Sequence, residues 1–232
     1  MKVALVSYNK QPLLRELRKA GFRLDGRRPD VAIAFGGEGT CLFCEEAYPN
    51  IPKLFIVHHK CPRCNSHNYS ALLNAIKNRK YRIVSLPKLE AYVNGKRFVG
   101  MNDINIHYRP PRAIRLQIKV NGRMISKELI GDGLVISTPY GSSAYFKSIT
   151  GRTFKNGIGI AFNNSVERRR PLIVNSTSKI QIKVLRESGV VACDTQKRLI
   201  NINRGNTIVV KQSRQKAKII KINGRDLRVR FK

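Results

Sequence analysis

The feature that most constrains the fold is the alternation of strand-like and helix-like segments in the first third of the chain. Short apolar runs typical of buried strands occur at KVALVSY, DVAIAFGG and KLFIV. Between and after them lie segments with helical spacing of apolar residues, QPLLRELRKAG, TCLFCEEAY and NYSALLNAIKNRK, the first of which is closed by Gly21. This β-α-β-α-β-α order predicts a parallel sheet whose glycine turns lie at its carboxyl edge, where ligands bind.

The sequence changes in character after Pro87. From there on it consists of short β-rich runs broken by Gly, Asn and Pro, such as RAIRLQIKVNGRMI, GIGIAFN and KIQIKVL. Many short strands of this kind are typical of an all-β domain. We therefore predict an α/β N-terminal lobe over residues 1–88 and a β-rich C-terminal lobe over residues 89–232, with the cleft between them as the expected ligand site.

Composition excludes a disordered chain and a helical membrane protein. Hydrophobic residues make up 42% of the 232 residues, which is too many for an intrinsically disordered protein. No apolar stretch approaches the length of a membrane span, and the N-terminus does not resemble a signal peptide. We expect a soluble, cytoplasmic protein with no membrane partner.

The net charge is the unusual quantity in the composition. The chain has 45 Lys and Arg against 14 Asp and Glu, a formal charge of +31, and the excess thickens between Arg204 and Lys232. Such a charge attracts polyanions in a salt-dependent way. Adaptation to an unusual cytoplasm, plain solubility, an RNA- or DNA-facing surface, and contact with polyphosphate or anionic lipid all remain open. Because aromatic residues are not interleaved with the basic ones, the pattern favours polyanion contact over base recognition.

The turn GGEGT, from Gly36 to Thr40, follows a predicted strand and precedes a predicted helix. Glycines allow the backbone to approach a ligand closely, and their exposed N–H groups can bind phosphate oxygens, to which Thr40 adds a hydroxyl. Glu38 is the only acid of the turn and could orient an attacking hydroxyl or accept its proton. Taken alone, the pattern is equally compatible with a tight structural turn.

Four cysteines have the spacing of a structural zinc site. Cys41 and Cys44 form one Cys-x2-Cys pair and Cys61 and Cys64 form a second, with sixteen residues between the pairs. Cys41 and Cys44 would lie on one helix face, and the neighbouring histidines His58, His59 and His67 could replace a thiolate. A closed four-thiolate site would be structural rather than catalytic. An iron–sulfur cluster, disulfides and plain buried thiols remain open alternatives, and Cys193 has no partner near it in sequence.

Several motifs together resemble the NAD kinase family, in a divergent form. GGEGT is similar to the Gly-Gly-Asp-Gly-Thr turn of that family, and MNDINI (101–106) is similar to its Asn-Glu/Asp motif. GDGLVISTPYGSSAY (131–145) resembles the most diagnostic segment of the family over its whole length. RRRPLIV (168–174) and VVACDTQ (190–196) follow in the order that the family has.

This resemblance implies that the protein transfers a phosphoryl group from ATP or polyphosphate to the 2′-hydroxyl of the adenosine ribose of NAD, with Mg²⁺. It implies a two-lobed NAD-kinase-like fold and a homo-oligomer. Glu38 would be the catalytic acid that polarises the 2′-hydroxyl. The residues that it assigns to the donor phosphates are Gly36, Gly37, Gly39 and Thr40. Those assigned to the acceptor are Asn102 and Asp103, the adenine-pocket residues Thr138, Ser143, Ala144 and Tyr145, and Asp132, which would contact the far half of the dinucleotide across a subunit interface.

The chain departs from the family pattern at four places. Glu38 replaces aspartate, Tyr140 replaces a small hydroxyl residue, TGRTF lacks the usual Gly-Gly-Pro, and VHHKCPRCNSH (57–67) replaces an Asn-x-Gly loop. Together with the basic charge, these departures support an alternative hypothesis from another class. The chain could be an RNA-binding relative of the fold that is non-catalytic or phosphorylates an RNA hydroxyl, because RNA also carries 2′-hydroxyl groups.

Overall fold

The computed structural model describes residues 1–57, 69–110 and 112–222. The chain divides into two compact units. The N-terminal unit comprises residues 1–86 and the last part of the final strand from Lys216 onward, and the C-terminal unit comprises residues 87–215. Within the described ranges no helix is long and apolar enough to cross a membrane.

The N-terminal unit is a parallel sheet with helices between its strands, as the sequence predicts. The sheet order is β2-β1-β3-β4, and every neighbouring pair is parallel. The end of the last strand, β16, adds a further parallel neighbour through the pairing of Ile219 with Lys53. The elements are β1 (Lys2–Val6), α1 (Gln11–Lys19), β2 (Arg23–Leu24), β3 (Val31–Gly36), α2 (Glu38–Ala47), β4 (Lys53–Val57) and α3 (Tyr69–Lys77).

The core of this unit lies between the sheet and its helices. Leu13 and Leu17 of α1 are fully buried, as their four-residue spacing predicts, and they join Phe35 of β3 and Leu73 and Ile76 of α3 in one apolar cluster. β3 is buried along its apolar run, which is typical of a strand covered on both faces. This packing fixes the carboxyl end of β3, where the glycine turn begins.

The C-terminal unit consists of two antiparallel sheets with one shared apolar core. One sheet has the order β16-β13-β8-β9 and is joined by the β5–β6 hairpin, and the other has the order β12-β11-β10-β7-β14-β15. A short 3₁₀ turn (Gly141–Ser143) and α4 (Tyr145–Thr150) follow β10. The strands are β5 (Tyr81–Val93), β6 (Lys96–Gly100), β7 (Asp103–Tyr108), β8 (Ile114–Val120), β9 (Arg123–Gly131), β10 (Gly133–Ser137), β11 (Ile158–Asn163), β12 (Leu172–Val174), β13 (Ile180–Arg186), β14 (Gly189–Cys193), β15 (Ile200–Ile202) and β16 (Thr207–Ile222).

Strand alternation explains which residues form this second core. Along β8, Ile114, Leu116, Ile118 and Val120 are buried while the residues between them are partly exposed. The same alternation along β13 buries Ile180, Ile182 and Val184. They meet Ile104 and Ile106 of β7 and Leu134 and Ile136 of β10 from the second sheet in one cluster. Both the parallel N-terminal sheet and the β-rich C-terminal part that the sequence predicts are therefore confirmed.

A buried ion pair joins α2 to β4 in the N-terminal unit. The Lys53 ammonium lies 2.6 Å from a carboxylate oxygen of Glu45, and the two side chains are 0% and 2% exposed. Lys53 Nζ also donates a hydrogen bond of 2.6 Å to the Ile51 carbonyl. Removing one partner of such a pair leaves the other charge in a poorly solvated site, which costs far more than the loss of a surface pair.

We therefore expect Lys53→Met to lower the free energy of unfolding by about 3–5 kcal/mol, because the Glu45 carboxylate loses its neighbouring cation. The control is Lys19→Met, which removes an exposed ion pair with Glu16 and should change the midpoint of urea unfolding very little. Equal shifts of the two midpoints would contradict this account of the buried pair.

Candidate functional site

The predicted phosphate turn is the N-terminus of a helix. β3 ends at Gly36, Gly37 is the N-cap in an extended conformation, and α2 begins at Glu38. The sequence predicts the helix only from Thr40 onward, so the structure starts it two residues earlier. The N–H groups of Thr40 and Cys41 donate to the Gly37 carbonyl. Because the first N–H groups of a helix have no intrahelical partner, this end of α2 can bind an anion.

The two neighbouring glycines of the turn, Gly36 and Gly37, have different steric surroundings. A Cβ atom at Gly36 would collide with the side chain of Thr40, which is itself buried. A Cβ atom at Gly37 would meet nothing within 4 Å in the part of the chain that the structure describes. Gly36 is therefore required by packing, whereas no described residue fills the space next to Gly37 at the helix N-terminus. Glu38, which is partly exposed, stands in the first turn beside that space.

In the C-terminal unit, a turn at residues 101–103 carries the predicted acceptor residues Asn102 and Asp103. The carboxylate of Asp194 accepts three backbone hydrogen bonds from this turn: from Met101 N at 2.6 Å, Asn102 N at 2.8 Å and Asp103 N at 3.0 Å. Asn102 and Asp103 are only 3% and 4% exposed. The sequence contains Asp194 within VVACDTQ, but the motif resemblance assigns it no role.

The surroundings of Asp194 act on its acidity in opposite directions. Removal from water raises the pKa of its carboxyl group above the ordinary value, while the backbone hydrogen bonds and the nearby Lys88 ammonium oppose that rise. The three N–H donors offset part of the desolvation of the carboxylate, and the net effect is a raised pKa. A buried carboxylate with several backbone donors is a structural anchor of the turn that supplies them.

Thr138 bonds to the carbonyl groups of the same turn. Its hydroxyl donates to the Met101 carbonyl at 2.7 Å and accepts from Gly141 N at 3.0 Å, and its own N–H donates to the Asn102 carbonyl at 2.8 Å. A Cβ atom at Gly141 would collide with the backbone of Asn102, so only glycine permits this approach. The structure thus brings Asn102, Asp103 and Thr138 together. The predicted role of Thr138 in an adenine pocket stays a prediction.

Tyr145 begins α4 and lies beside His107. The two rings stack with centroids 5.8 Å apart and planes inclined by 20°, and the Tyr145 hydroxyl accepts a hydrogen bond of 3.2 Å from Asn163 Nδ2. Burial lowers the pKa of His107, although the nearby charge of Asp132 acts in the opposite direction. The lowered pKa favours a neutral imidazole ring in the stack. Burial also raises the pKa of Tyr145.

Tyr145 lines a cleft of about 530 Å³ in the C-terminal unit, together with Ser148, Asn163 and Arg168. Asp132 lies near this cleft, since its carboxylate accepts 2.7 Å from Asn164 Nδ2 and its N–H donates to the Asn163 carbonyl. The cleft therefore combines an aromatic ring, amides and an arginine. Those are the groups that a nucleotide needs for its base and its phosphates.

Ser143 and Ala144 complete the segment between β10 and α4. The Ser143 hydroxyl donates 3.3 Å to the Tyr140 carbonyl, and Ala144 N donates 2.9 Å to the Gly141 carbonyl. These bonds tie the residues to the 3₁₀ turn that precedes Tyr145. Their predicted contact with an adenine base stays a prediction.

Only half of the predicted cysteine quartet lies within the described residues. Cys41 and Cys44 are fully buried on α2, and burial raises the pKa of both thiols, that of Cys44 to about 12. Cys61 and Cys64, with His58, His59 and His67, lie outside the described residues. Within residues 1–57, 69–110 and 112–222, no three His, Cys, Asp or Glu residues are grouped for a metal ion. The predicted zinc site stays a prediction.

The family profile and the related sequences that match this chain all belong to one family. A family profile described as the ATP-NAD kinase C-terminal domain matches residues 101–222. The NAD kinase of Sulfurisphaera tokodaii is 30% identical over 169 residues, which are 71% of this chain and 67% of that protein. The NAD kinase of Thermoplasma volcanium is 27% identical over 206 residues, which are 82% of this chain and 73% of that protein.

Comparison with solved structures gives the same fold. The crystal structure of yeast NADH kinase complexed with NADH matches with a TM-score of 0.81 at 16% identity, over 95% of this chain and 83% of that one. The structure of an NAD kinase from Archaeoglobus fulgidus in complex with ATP matches with a TM-score of 0.76 at 17% identity, over 96% of this chain and 94% of that one. At these identities the structural matches establish the fold.

Proposed function

Because this chain belongs to the NAD kinase family, we propose that it transfers a phosphoryl group from ATP, or from polyphosphate, to the 2′-hydroxyl of the adenosine ribose of NAD. The observation that carries the proposal is the family match over residues 101–222, which includes the turn at Asn102 and the segment before Tyr145. The chain is thus a phosphotransferase of this family. The cytoplasm, where both substrates occur, is its proposed location.

The N-terminus of α2 is the proposed site of the donor phosphates. The helix dipole and the first N–H groups favour negative charge there, and Gly37 leaves the approach open. We assign Gly36, Gly37, Gly39 and Thr40 to this role, although Thr40 is buried and packs against Gly36.

The turn also fits a donor that arrives with Mg²⁺. Mg²⁺ in such sites keeps several waters and binds through the substrate phosphates, for which the N-terminus of α2 provides the binding groups. When bound, the ion would neutralise charge on the phosphates. The residues of the chain would bind and orient the donor.

Glu38 is the proposed catalytic carboxylate, and it acts as a general base. In the reaction the 2′-oxygen of the ribose forms a bond to the terminal phosphorus of ATP, the bridging P–O bond breaks, and ADP leaves with the electron pair of that bond. The proton of the hydroxyl passes to the Glu38 carboxylate. The side chain is one methylene longer than the family's aspartate. Its place in the first helical turn supports this assignment, because a carboxylate there can reach past the helix end.

The acceptor is proposed to bind in the C-terminal unit. Asn102 and Asp103 would hold the ribose, and Tyr145 would stack on the adenine at the cleft it lines, together with Thr138, Ser143 and Ala144. Asp132 would contact the far half of the dinucleotide. That last role needs a neighbouring subunit, so the proposal includes a homo-oligomer.

We expect the purified chain to form NADP from NAD, ATP and Mg²⁺, and Glu38→Gln to lower kcat by about 10²–10⁴-fold with little change in KM for NAD, because general acid–base catalysis is lost. Glu46→Gln is the matched control, since Glu46 is an exposed acid on the same helix. A wild-type chain that forms no NADP would overturn the proposed function. A fully active Glu38→Gln variant would overturn the assignment of Glu38.

A structural zinc ion is proposed behind the phosphate turn. Cys41 and Cys44 supply two thiols from one buried helix face, and their spacing to Cys61 and Cys64 in sequence supports a four-thiolate set. A zinc ion there would clamp α2 to the segment that follows β4. Iron in place of zinc would have the same structural role.

Elemental analysis of the purified chain should give about one zinc per chain, and Cys41→Ser should abolish it, because a structural zinc site requires four ligands. Cys193→Ser is the control, since Cys193 is buried in the C-terminal unit. Iron with visible charge-transfer absorption would assign the cluster instead. A metal-free chain with reactive thiols at all four cysteines would contradict both.

A second candidate function is RNA binding, and one face of the β16-β13-β8-β9 sheet favours it. Register places Lys119 beside Gln181, and Gln117 beside Lys183, on the side away from the buried residues Ile118 and Ile182. We define the basic face by its six members: Arg115, Gln117, Lys119, Gln181, Lys183 and Arg186. Arg115 and Arg186 pair with Glu128 and Glu187 at the ends of this face, so Lys119 and Lys183 are the cations available to a phosphate backbone.

The distribution of acids supports this second candidate. Many of the 14 acidic residues already form ion pairs with other cations of the chain, so they do not neutralise Lys119 and Lys183. Among the described residues, neither Lys119 nor Lys183 forms an ion pair. The paired acids are Glu16, Asp25, Glu45, Glu90, Glu128, Glu167 and Glu187.

If this face binds single-stranded RNA, the affinity for a labelled oligouridylate should fall steeply with salt. The double variant Lys119→Gln/Lys183→Gln should reduce the slope of log K against log salt by about 1.4, the loss of two phosphate contacts on a single strand. The control double variant Lys10→Gln/Lys155→Gln removes the same charge outside the basic face. It should reduce the slope less than Lys119→Gln/Lys183→Gln does. Equal slopes for the two double variants would contradict the basic face, and no binding at moderate salt would contradict the function.

A further inference from the structure

We propose that Asp194 is the positioning residue for the acceptor: its carboxylate fixes the backbone from which Asn102 and Asp103 project. This inference rests on the proposed function, because it concerns the site of the same reaction. Asp194 does not project from the acceptor turn itself. It comes from the end of β14 and acts on the substrate through the turn that it holds.

Both carboxylate oxygens of Asp194 are used on that turn. One oxygen accepts from Met101 N at 2.6 Å, and the other accepts from Asn102 N at 2.8 Å and Asp103 N at 3.0 Å. In return, Asp194 N donates to the Asp103 carbonyl at 3.1 Å. Three consecutive peptide N–H groups that point at one carboxylate define the path of the turn. The position of the two acceptor side chains follows from that path.

The surroundings of Asp194 restrict the position to this side chain. A Cβ atom at Gly100 would lie 2.9 Å from an Asp194 carboxylate oxygen, so the glycine provides the space that the carboxylate occupies. A glutamate would need room for a further methylene in this tight packing. Gln196 contacts the same segment, since its side-chain amide donates a hydrogen bond of 3.2 Å to the Val99 carbonyl. The turn that contains Asp194 and Gln196 therefore bonds to residues 99, 101, 102 and 103.

Two segments bond to different main-chain groups of the acceptor turn. The Asp194 carboxylate accepts hydrogen bonds from the N–H groups of the turn, while Thr138 donates to two of its carbonyls, Met101 O and Asn102 O. The Asp103 carboxylate accepts a further bond of 2.8 Å from Asn105 Nδ2. With donors and acceptors both engaged, the Asn102 and Asp103 side chains keep their directions before a substrate arrives. Such preorganisation lowers the cost of binding.

Asparagine is the decisive substitution at this position. It has nearly the same shape as aspartate, but it replaces one acceptor oxygen by an NH₂ donor, which would face backbone N–H donors. The turn would lose one or two of its charge-assisted bonds and change its path. A residue needed only for folding would lower stability without changing how the folded fraction binds NAD.

The test is the kinetics of Asp194→Asn with NAD and ATP varied separately. We expect KM for NAD to rise by about 10- to 100-fold, the loss expected for hydrogen bonds to a charged group, with kcat and KM for ATP nearly unchanged. Asp25→Asn is the matched control, because the Asp25 carboxylate also accepts backbone bonds, from Arg27 and Arg28 in the N-terminal unit. That variant should leave KM for NAD unchanged.

Hydrogen exchange provides a readout that does not depend on activity. In Asp194→Asn the amide protons of Met101, Asn102 and Asp103 should exchange faster, while those of the β8 and β13 core remain protected. Wild-type KM for NAD in a folded, active Asp194→Asn variant would overturn the positioning role and leave the kinase function standing. Unchanged protection of the three amides would also overturn it. An inactive wild-type chain would overturn the function itself.

Discussion

A set of backbone hydrogen bonds to the Asp194 carboxylate holds the turn that carries the predicted acceptor residues Asn102 and Asp103. It connects two segments that are 91 to 93 residues apart in sequence. Thr138 adds a third segment through the carbonyls of the same turn. Each of these bonds has a main-chain group of the turn as one partner. The side chains of Asp194 and Thr138 therefore fix the path of the main chain at residues 101–103. The antiparallel pairing of β7 with β10 and β14 brings the three segments to one place.

Charge is organised differently in the two units. In the N-terminal unit the decisive charges are few: a buried Glu45–Lys53 pair behind α2 and a helix N-terminus that attracts anions. In the C-terminal unit the cations are numerous and spread over sheet surfaces, while a buried acid such as Glu90 binds Arg97 and Lys211. The first arrangement suits one compact anionic group, and the second suits an extended one.

Local patterns predicted most of the fold correctly. Helical spacing located α1 and α3, and the apolar run of β3 located the strand that leads to the glycine turn. Strand alternation identified the β-rich part, and the motif order identified the family. The return of β16 to pair with β4 was not accessible in this way, because it is a long-range pairing and no local pattern encodes it. Helix α2 begins earlier than predicted because a glycine and an acid are acceptable in a first helical turn.

For the site, the sequence indicated which residues to consider but not how they are held. The resemblance predicts Asn102, Asp103 and Thr138 as site residues but gives no role to Asp194, because that role depends on which N–H groups Asp194 faces after folding. The signal that could have found it is an aspartate directly after a buried strand, followed by Thr and Gln. An aspartate in that position often bonds to backbone N–H groups, but the pattern does not tell which ones.

Gly36 and Gly37 look equivalent in the sequence, yet selection would act on them for different reasons. Any side chain at Gly36 conflicts with Thr40, so that position is closed to substitution whether or not the protein has a ligand. At Gly37 the folded chain itself offers no obstacle among its described residues. A library of random variants sorted for folding alone would therefore accept many residues at position 37 and few at position 36. If Gly37 has its proposed role at the donor phosphates, the same library sorted for catalysis would lose the tolerance at position 37, and the difference between the two sorts would measure the space needed by the substrate.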